Sequence, residues 1–332
     1  MVADLFVVPE NEDRPIAPPY IDAAAIRRLV RMPALIEALK QGFTAGFDVP
    51  QRQAHALPGG ATLLLMPAWD DGRSSGVKLV TVQPAAQPAV QSLYLLLDGH
   101  DGRPRAILDG TMLTPLRTAA ASAVASSLLA RPDSRRLLMI GTGTLAPHLI
   151  EAHCCVRPID RIAVWGRSPD KAKALVERLI AEGRNAAIVE NLDAAVANAD
   201  IISAATLSQQ PLIRGALVQP GTHIDLVGAF TPDMAEGDPA CFARARVFVD
   251  ARDAALEEAG DLLQAIAAGT MTGDAICGDL AELCSGRAVG RENTAADITL
   301  FKSVGIANED LIAAGLVYTA WCDATFTPRP VR

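Results

Sequence analysis

Two groups of residues in this 332-residue chain could do chemistry: glycines spaced to cradle a phosphate, and cations set in apolar surroundings. The segment LLMIGTGTLAPHLIEA carries Gly141, Gly143 and Ala146 in GxGxxA spacing, with Thr144 and Leu145 between the last two. In such a loop Gly141 permits the tight turn and Gly143 lets the backbone approach a pyrophosphate. Ala146 permits close helix–strand packing, and the helix N-terminus faces the negative charge. The loop follows a strand-like run and opens a helix-like one, as a dinucleotide site requires. The alternative is an ordinary glycine-rich turn.

The end of the next strand bears on which nucleotide would bind. It reads Val164-Trp165-Gly166-Arg167-Ser168, with no acid to bond ribose hydroxyls. A carboxylate would repel a 2′-phosphate, whereas an Arg fork and a Ser hydroxyl would receive it. Gly166, Arg167 and Ser168 therefore point to NADP(H), with Lys171 a further candidate and NADH the weaker cofactor. Arg167 could equally be a solvated surface residue, and Ser168 could cap the following helix, alone or in addition. Thr206, closing ADIISAAT, stands where doubly wound folds meet their cofactor, and Gly228, in LVGAF, is a further candidate cofactor contact.

Only five of the 30 basic residues are lysines, at 40, 78, 171, 173 and 302. Lys78 interrupts the apolar run GVKLVTV, where a charge is costly unless it faces a cleft or a partner. Arg117 lies in MLTPLRTAA, among small and apolar residues, and Arg52 follows Val-Pro-Gln. Arginine suits bidentate capture of a carboxylate, and a buried lysine can donate a proton. Together these three could form a carboxylate pocket. Singly, each could as well be half of a structural ion pair.

The elements that must position them fall into two patterns. Residues 1–20 are polar and proline-rich and suggest an extended arm, and Ile21–Gly42 has helical spacing. GGATLLLMPAW, GVKLVTVQP and VQSLYLLLD suggest strands of one sheet; HDGRPR is a turn and RAILDG another strand. MLTPLRTAAASAVASSLLA suggests a long helix with Pro115 in its first turn. From RRLLMI onward strand and helix alternate, through RIAVWG, AAIVE, ADIISAAT and THIDLVGAF to RVFVDA, the last clear strand. Such alternation implies a doubly wound parallel sheet of Rossmann type. The expected domains are 1–130, a mixed α+β substrate and dimerisation domain; 131–302, the dinucleotide domain; and 303–332, a helix returning to the first.

Composition narrows the classes. Half the residues are hydrophobic and a fifth are charged, enough for a sizeable core. A net charge of −8 argues against general affinity for nucleic acid or anionic membrane. No apolar run reaches the ~18 residues of a membrane span, and the N-terminus lacks a secretory pattern. Six cysteines without CxxC pairing suggest buried, reduced thiols in a cytoplasmic protein. The five histidines show no HxxxH or HExxH pattern, so no metal is expected.

The chain resembles the ornithine cyclodeaminase/mu-crystallin family over nearly its whole length. The resemblance rests on GVKLV, LLLDGHDGRPRAILDGTMLTPLRTAAASAVA, the GTGTLA loop, ADIISAAT, EEAGDLLQAI and ITLFKSVGIANEDL. It implies a homodimer with a Rossmann domain and a mixed domain to which the C-terminal helix returns. It also implies that Arg52, Lys78 and Arg117 hold a substrate carboxylate. Ser92, Arg117 and Thr118 would touch substrate or cofactor. Ser303 matches a position near the nicotinamide, though a helix N-cap is the plainer role.

One segment separates subfamilies. Members that cyclise ornithine carry an acid in a GxDxPGK-like motif, and alanine dehydrogenases of the family also tend to keep it. Here the segment is Val227-Gly228-Ala229-Phe230-Thr231-Pro232-Asp233-Met234-Ala235-Glu236, with Phe230 at the acid position and Met234 at the lysine position. Phe cannot move a proton. The TPDM form is similar to the ketimine reductases; Asp233 could orient substrate or loop, or be a plain turn residue after proline. The resemblance thus implies NADPH-dependent reduction of a cyclic imino acid, Δ1-pyrroline-2-carboxylate to L-proline or Δ1-piperideine-2-carboxylate to L-pipecolate, within proline metabolism. In that reaction Lys78, Arg52 and Arg117 would be the catalytic set. The rivals are a cyclodeaminase-type lyase, an alanine or N-methylalanine-type dehydrogenase, and a non-catalytic crystallin-like binding protein.

Overall fold

A computed structural model describes residues 17–45, 49–293 and 295–326. The suggested N-terminal arm lies outside them as far as residue 16. The chain divides into two compact units, 1–117 with 306–332, and 118–305. The division falls within one long helix.

The first unit begins with β1 (Tyr20–Ile21), α1 (Ala23–Leu29) and α2 (Met32–Ala45). The single helix suggested for 21–42 is therefore broken, with Val30 in extended backbone between the two pieces. Then come β2 (Gln53–Leu57), β3 (Ala61–Trp69), β4 (Ser74–Val82), β5 (Val90–Asp98) and β6 (Pro104–Asp109). They form one sheet in the order β1-β6-β5-β4-β3-β2, antiparallel apart from the β1–β6 pair. Strand β6 begins inside the segment suggested as a turn. Helix α3 (Gly110–Leu129) follows, with Pro115 in its second turn rather than its first. There it removes the amide that would have bonded the Thr111 carbonyl.

In the second unit strand and helix alternate: β7 (Arg136–Ile140), α4 (Ala146–Val156), β8 (Arg161–Trp165), α5 (Pro169–Ala181), β9 (Ala186–Ile188), α6 (Leu192–Asn198), β10 (Ile201–Ala204) and β11 (His223–Leu226). Next are α7 (Pro239–Arg244), β12 (Ala245–Val249), α8 (Arg252–Glu258), α9 (Gly260–Ala267), β13 (Gly278–Asp279), α10 (Leu280–Cys284) and β14 (Ile298–Lys302). All eight strands are parallel, in the order β13-β12-β14-β11-β10-β7-β8-β9. RVFVDA is thus not the last strand, because ITLFK inserts between β11 and β12. Strands β7, β10, β11 and β14 are buried along almost their whole length, which explains their near-continuous apolar runs.

Helix α11 (Ala307–Phe326) belongs to the first unit, where it packs on β3, β4 and β5 and against α2. No helix among the described residues is long and apolar enough to cross a membrane. Among the six free cysteines only Cys241 and Cys322 are buried; Cys155 and Cys277 are exposed, so burial is not their common feature.

Candidate active site

In the first unit, strand alternation places Lys78 on the face of the sheet that α11 covers. Its cross-strand partners there are Met66 on β3 and Tyr94 on β5. Tyr94 lies over Gly76: a Cβ at that position would stand 2.4 Å from the phenol oxygen. The glycine of GVKLV therefore makes room for the aromatic ring beside the lysine.

Lys78 is 2% exposed and its ammonium is 2.7 Å from Asp310 Oδ2. Arg117, near the start of α3, donates from Nε to Asp310 Oδ1 at 3.1 Å and from Nη1 to Glu309 Oε2 at 2.5 Å. Two cations and two carboxylates thus meet in a dry place, each satisfying another. Burial, with Arg117 and Arg52 alongside, pulls Lys78 down to about 8 against the pull of Asp310. An ammonium has three donors, and Asp310 takes one; among the described residues no other acceptor bonds Lys78. Arg52 is half-buried and close enough to act on the Lys78 charge. The structure so brings Arg52, Lys78 and Arg117 into one unit. Ser92 is on β5, where a Cβ on Gly110 would meet its hydroxyl at 2.6 Å.

Glu309 and Asp310 were not among the residues singled out from sequence. The signal was present: two adjacent acids inside the otherwise uncharged and mostly apolar ANEDLIAAGLVYTAW. Buried acids in an apolar helix require cationic partners.

In the second unit the phosphate loop has the expected form. Gly141 has φ 116°, and a Cβ there would lie 2.5 Å from the Ala205 carbonyl, so only glycine fits. Its amide donates to the Trp165 carbonyl at 2.9 Å. A Cβ on Gly143 would meet nothing within 4 Å, which leaves open space above the turn. The amides of Thr142, Gly143, Thr144 and Leu145 donate to no described residue, and α4 begins at Ala146, which is buried, without a side-chain cap. Open space, unclaimed amides and a helix N-terminus together fit a pyrophosphate. Gly166 lies close under Thr142, whose methyl would be 2.6 Å from an added Cβ.

Arg167 is exposed, as is Lys171. The Ser168 hydroxyl accepts the Lys171 amide at 3.5 Å and so caps α5. Thr206 and Gly228, after β10 and β11, both donate their amides to the buried carboxylate of Glu236, at 2.6 and 2.7 Å. Ser303 is no helix cap: its hydroxyl donates to Asp250 Oδ2 at 3.1 Å, which also receives the amides of Val304 and Gly305. Thr118, on α3, is buried. Phe230 is 42% exposed. Asp233 accepts from the Thr231 hydroxyl and from Gln209, which are loop contacts. Among the described residues no group of three or more His, Cys, Asp or Glu is arranged to hold a metal.

The chain matches the model of the ornithine cyclodeaminase/mu-crystallin family over residues 22–325. It is 43% identical over 290 residues to a Δ1-pyrroline-2-carboxylate reductase of Paracoccus denitrificans, covering 85% of this chain and 90% of that one. A Δ1-pyrroline-2-carboxylate reductase of Colwellia psychrerythraea is 37% identical over 315 residues, covering 91% of this chain and 99% of that one. Among solved structures, the Thermococcus litoralis Δ1-pyrroline-2-carboxylate reductase in complex with NADH and L-proline superposes with a TM-score of 0.88 at 32% identity, covering 92% of this chain and 98% of that one. With its mixed sheet, its Rossmann sheet and the GxGxxA turn between β7 and α4, the chain belongs to the ornithine cyclodeaminase/mu-crystallin family.

Proposed function

We propose that this protein reduces cyclic ketimine acids, Δ1-pyrroline-2-carboxylate to L-proline and Δ1-piperideine-2-carboxylate to L-pipecolate, at the expense of NAD(P)H. The observation that carries this reading is the buried Lys78, held by Asp310 beside Arg117 and brought down to about 8. The relatives' names support it, and Phe230, which cannot move a proton, argues against the cyclodeaminase alternative.

The reduced nicotinamide, when bound, supplies the hydride to the C=N carbon. Everything else falls to the chain. Arg52 and Arg117 bind the substrate carboxylate and so fix which face of the imine is presented. Lys78 directs an N–H at the imine nitrogen and gives up its proton as the nitrogen becomes an amine. Asp310 keeps the ammonium aimed and charged. A lysine near 8 is mostly protonated at neutral pH yet acidic enough to donate, the balance general acid catalysis requires. The backbone amides of residues 142–145 bind the pyrophosphate.

NADPH is the preferred cofactor in this reading, because Arg167 and Ser168 replace an acid at the end of β8. The protein acts as a homodimer in a reducing cytoplasm. Support for the dimer comes from the sheet face opposite Lys78, where Leu93 and Trp69 are exposed and Leu65 and Leu79 half-buried. The test is reduced-cofactor consumption with each ketimine offered separately, using NADPH and NADH in parallel. Turnover with ketimine supports the reading; turnover only with pyruvate and ammonia or methylamine contradicts it.

A further inference from the structure

Outside the Lys78 cluster, the second unit contains another dry knot of charges. Glu236, Asp261 and Lys302 are all buried, Glu236 and Lys302 completely. Glu236 Oε1 accepts the Thr206 amide at 2.6 Å and the Thr206 hydroxyl at 2.9 Å, while Oε2 accepts the Gly228 amide at 2.7 Å. Lys302 donates to the Gly228 carbonyl and pairs with Asp261 Oδ2 at 3.2 Å. Asp261 Oδ1 accepts the amides of Glu236 and Gly237, at 2.5 and 2.9 Å. The contacts close a ring: Glu236 to Gly228, Gly228 to Lys302, Lys302 to Asp261, Asp261 back to Glu236. The ring ties the ends of β10, β11 and β14 to the first turn of α9.

The packing leaves no slack. A Cβ on Gly228 would stand 2.2 Å from the Thr206 carbonyl and 2.5 Å from Glu236 Oε1. Ala229, next in the chain, has φ 52°, a left-handed conformation that costs a residue with a Cβ. Its carbonyl accepts the Gly260 amide at 3.0 Å. Strain of this kind persists only where the surroundings over-determine it, and it concentrates at functional sites. Here it sets the direction in which the chain leaves toward the exposed Phe230.

The sheet order says which part of a dinucleotide these turns would meet. The chain runs from β7 to β8 and β9 on one side, then crosses to β10 and β11 on the other, so the crevice opens beyond β7 and β10. A pyrophosphate over the Gly143 turn and an adenosine over the end of β8 would leave the nicotinamide half to lie over β10 and β11. We infer that Glu236 is a positioning residue for the nicotinamide half of the cofactor, locking the Thr206 and Gly228 turns together beneath it. The inference rests on the dinucleotide reading given above. Burial raises Glu236 to about 7 against the pull of Lys302, so its three hydrogen bonds are held in a costly environment.

The test compares NADPH with 2′-phospho-ADP-ribose, which is the same cofactor without its nicotinamide ring. In Glu236→Gln an amide N–H must face one of the donors Glu236 now accepts. The expected result is roughly tenfold to a hundredfold weaker NADPH binding, the size of one lost charged hydrogen bond, with binding of 2′-phospho-ADP-ribose unchanged. Emission of bound NADPH should shift as the ring loses its fixed setting. Asp261→Asn, which keeps an acceptor for both amides, should show the same selectivity at smaller size and provides the reading should Glu236→Gln fail to fold. Equal weakening of both molecules would mean a merely structural role and overturn the inference; so would unchanged NADPH binding. Failure of the wild-type protein to bind either molecule would instead overturn the dinucleotide reading, and this inference with it.

Discussion

Lys78 and Asp310 are separated by 232 positions in the chain and by 2.7 Å in space. One sits mid-strand in a sheet and the other in the first turn of the helix that covers it. Arg117 reaches the other oxygen of the same carboxylate. Asp310 therefore balances two cations at once, and the chemistry assigned to Lys78 depends on it.

Removing the proposed proton donor should cost more than removing binding alone. Lys78→Ala is expected to lower kcat on a ketimine by about 10²- to 10⁴-fold, the usual contribution of a general acid. Arg117→Lys should raise KM, since a lysine cannot reach both Glu309 and Asp310 as the guanidinium does. Steady-state kinetics with varied ketimine separates the two effects.

The pH profile should report Lys78. Its folded value is depressed to about 8, so the donor is charged below that pH and lost above it. The prediction is a fall in kcat/KM as pH rises through about 8. Asp310→Asn removes the attraction that opposes burial, so the fall should move to lower pH. A limb that does not move in the variant would contradict the pairing.

How much of this could be read from sequence depended on distance along the chain. The GxGxxA turn, the alternation after residue 135 and Gly166-Arg167-Ser168 are local patterns, and their geometry follows from neighbours. Glu309 and Asp310 became interpretable only once α11 lay on β4. Strand β14 offers only the short run ITLF before it ends at Lys302, a charge whose partner, Asp261, is known only from the fold. The break at Val30 and the exposure of Cys155 and Cys277 depend on packing that periodicity does not encode.

The two glycines of the phosphate loop should fail differently. Gly141→Ala puts a Cβ against the Ala205 carbonyl at positive φ, so it should lower Tm as well as cofactor affinity. Gly143→Ala meets no atom, so it should leave Tm unchanged while filling the space a pyrophosphate needs. Thermal melts beside cofactor titrations check the contrast.

Arg167→Ala should weaken NADPH and spare NADH. Loss of an arginine–phosphate contact predicts roughly a tenfold or greater fall in kcat/KM with NADPH. An equal effect on both cofactors would show that Arg167 reads no 2′-phosphate.

Acid stability should reflect a buried polar pair in the second unit. Burial pushes His223 from 6.5 down to about 3. Burial opposes ionisation of Asp225, but His153 and Ser203 outweigh it and hold the carboxyl below its ordinary range. Both folded values are depressed, so the unfolded chain binds more protons as pH falls. Stability from His223 is complete above 6.5 and declines toward 3, and Asp225 adds to the loss. Tm should therefore fall with pH across this window, less steeply in His223→Gln.

Ketimine reduction at Lys78 is tested most directly by consumption of reduced cofactor when purified protein is offered Δ1-pyrroline-2-carboxylate or Δ1-piperideine-2-carboxylate, beside Lys78→Ala and beside ornithine with NAD. The expected result is rapid ketimine-dependent oxidation of NADPH in the wild-type protein, nearly abolished in the variant, and no ammonia from ornithine. Ammonia released from ornithine without net cofactor turnover, and no oxidation with either ketimine, would contradict it.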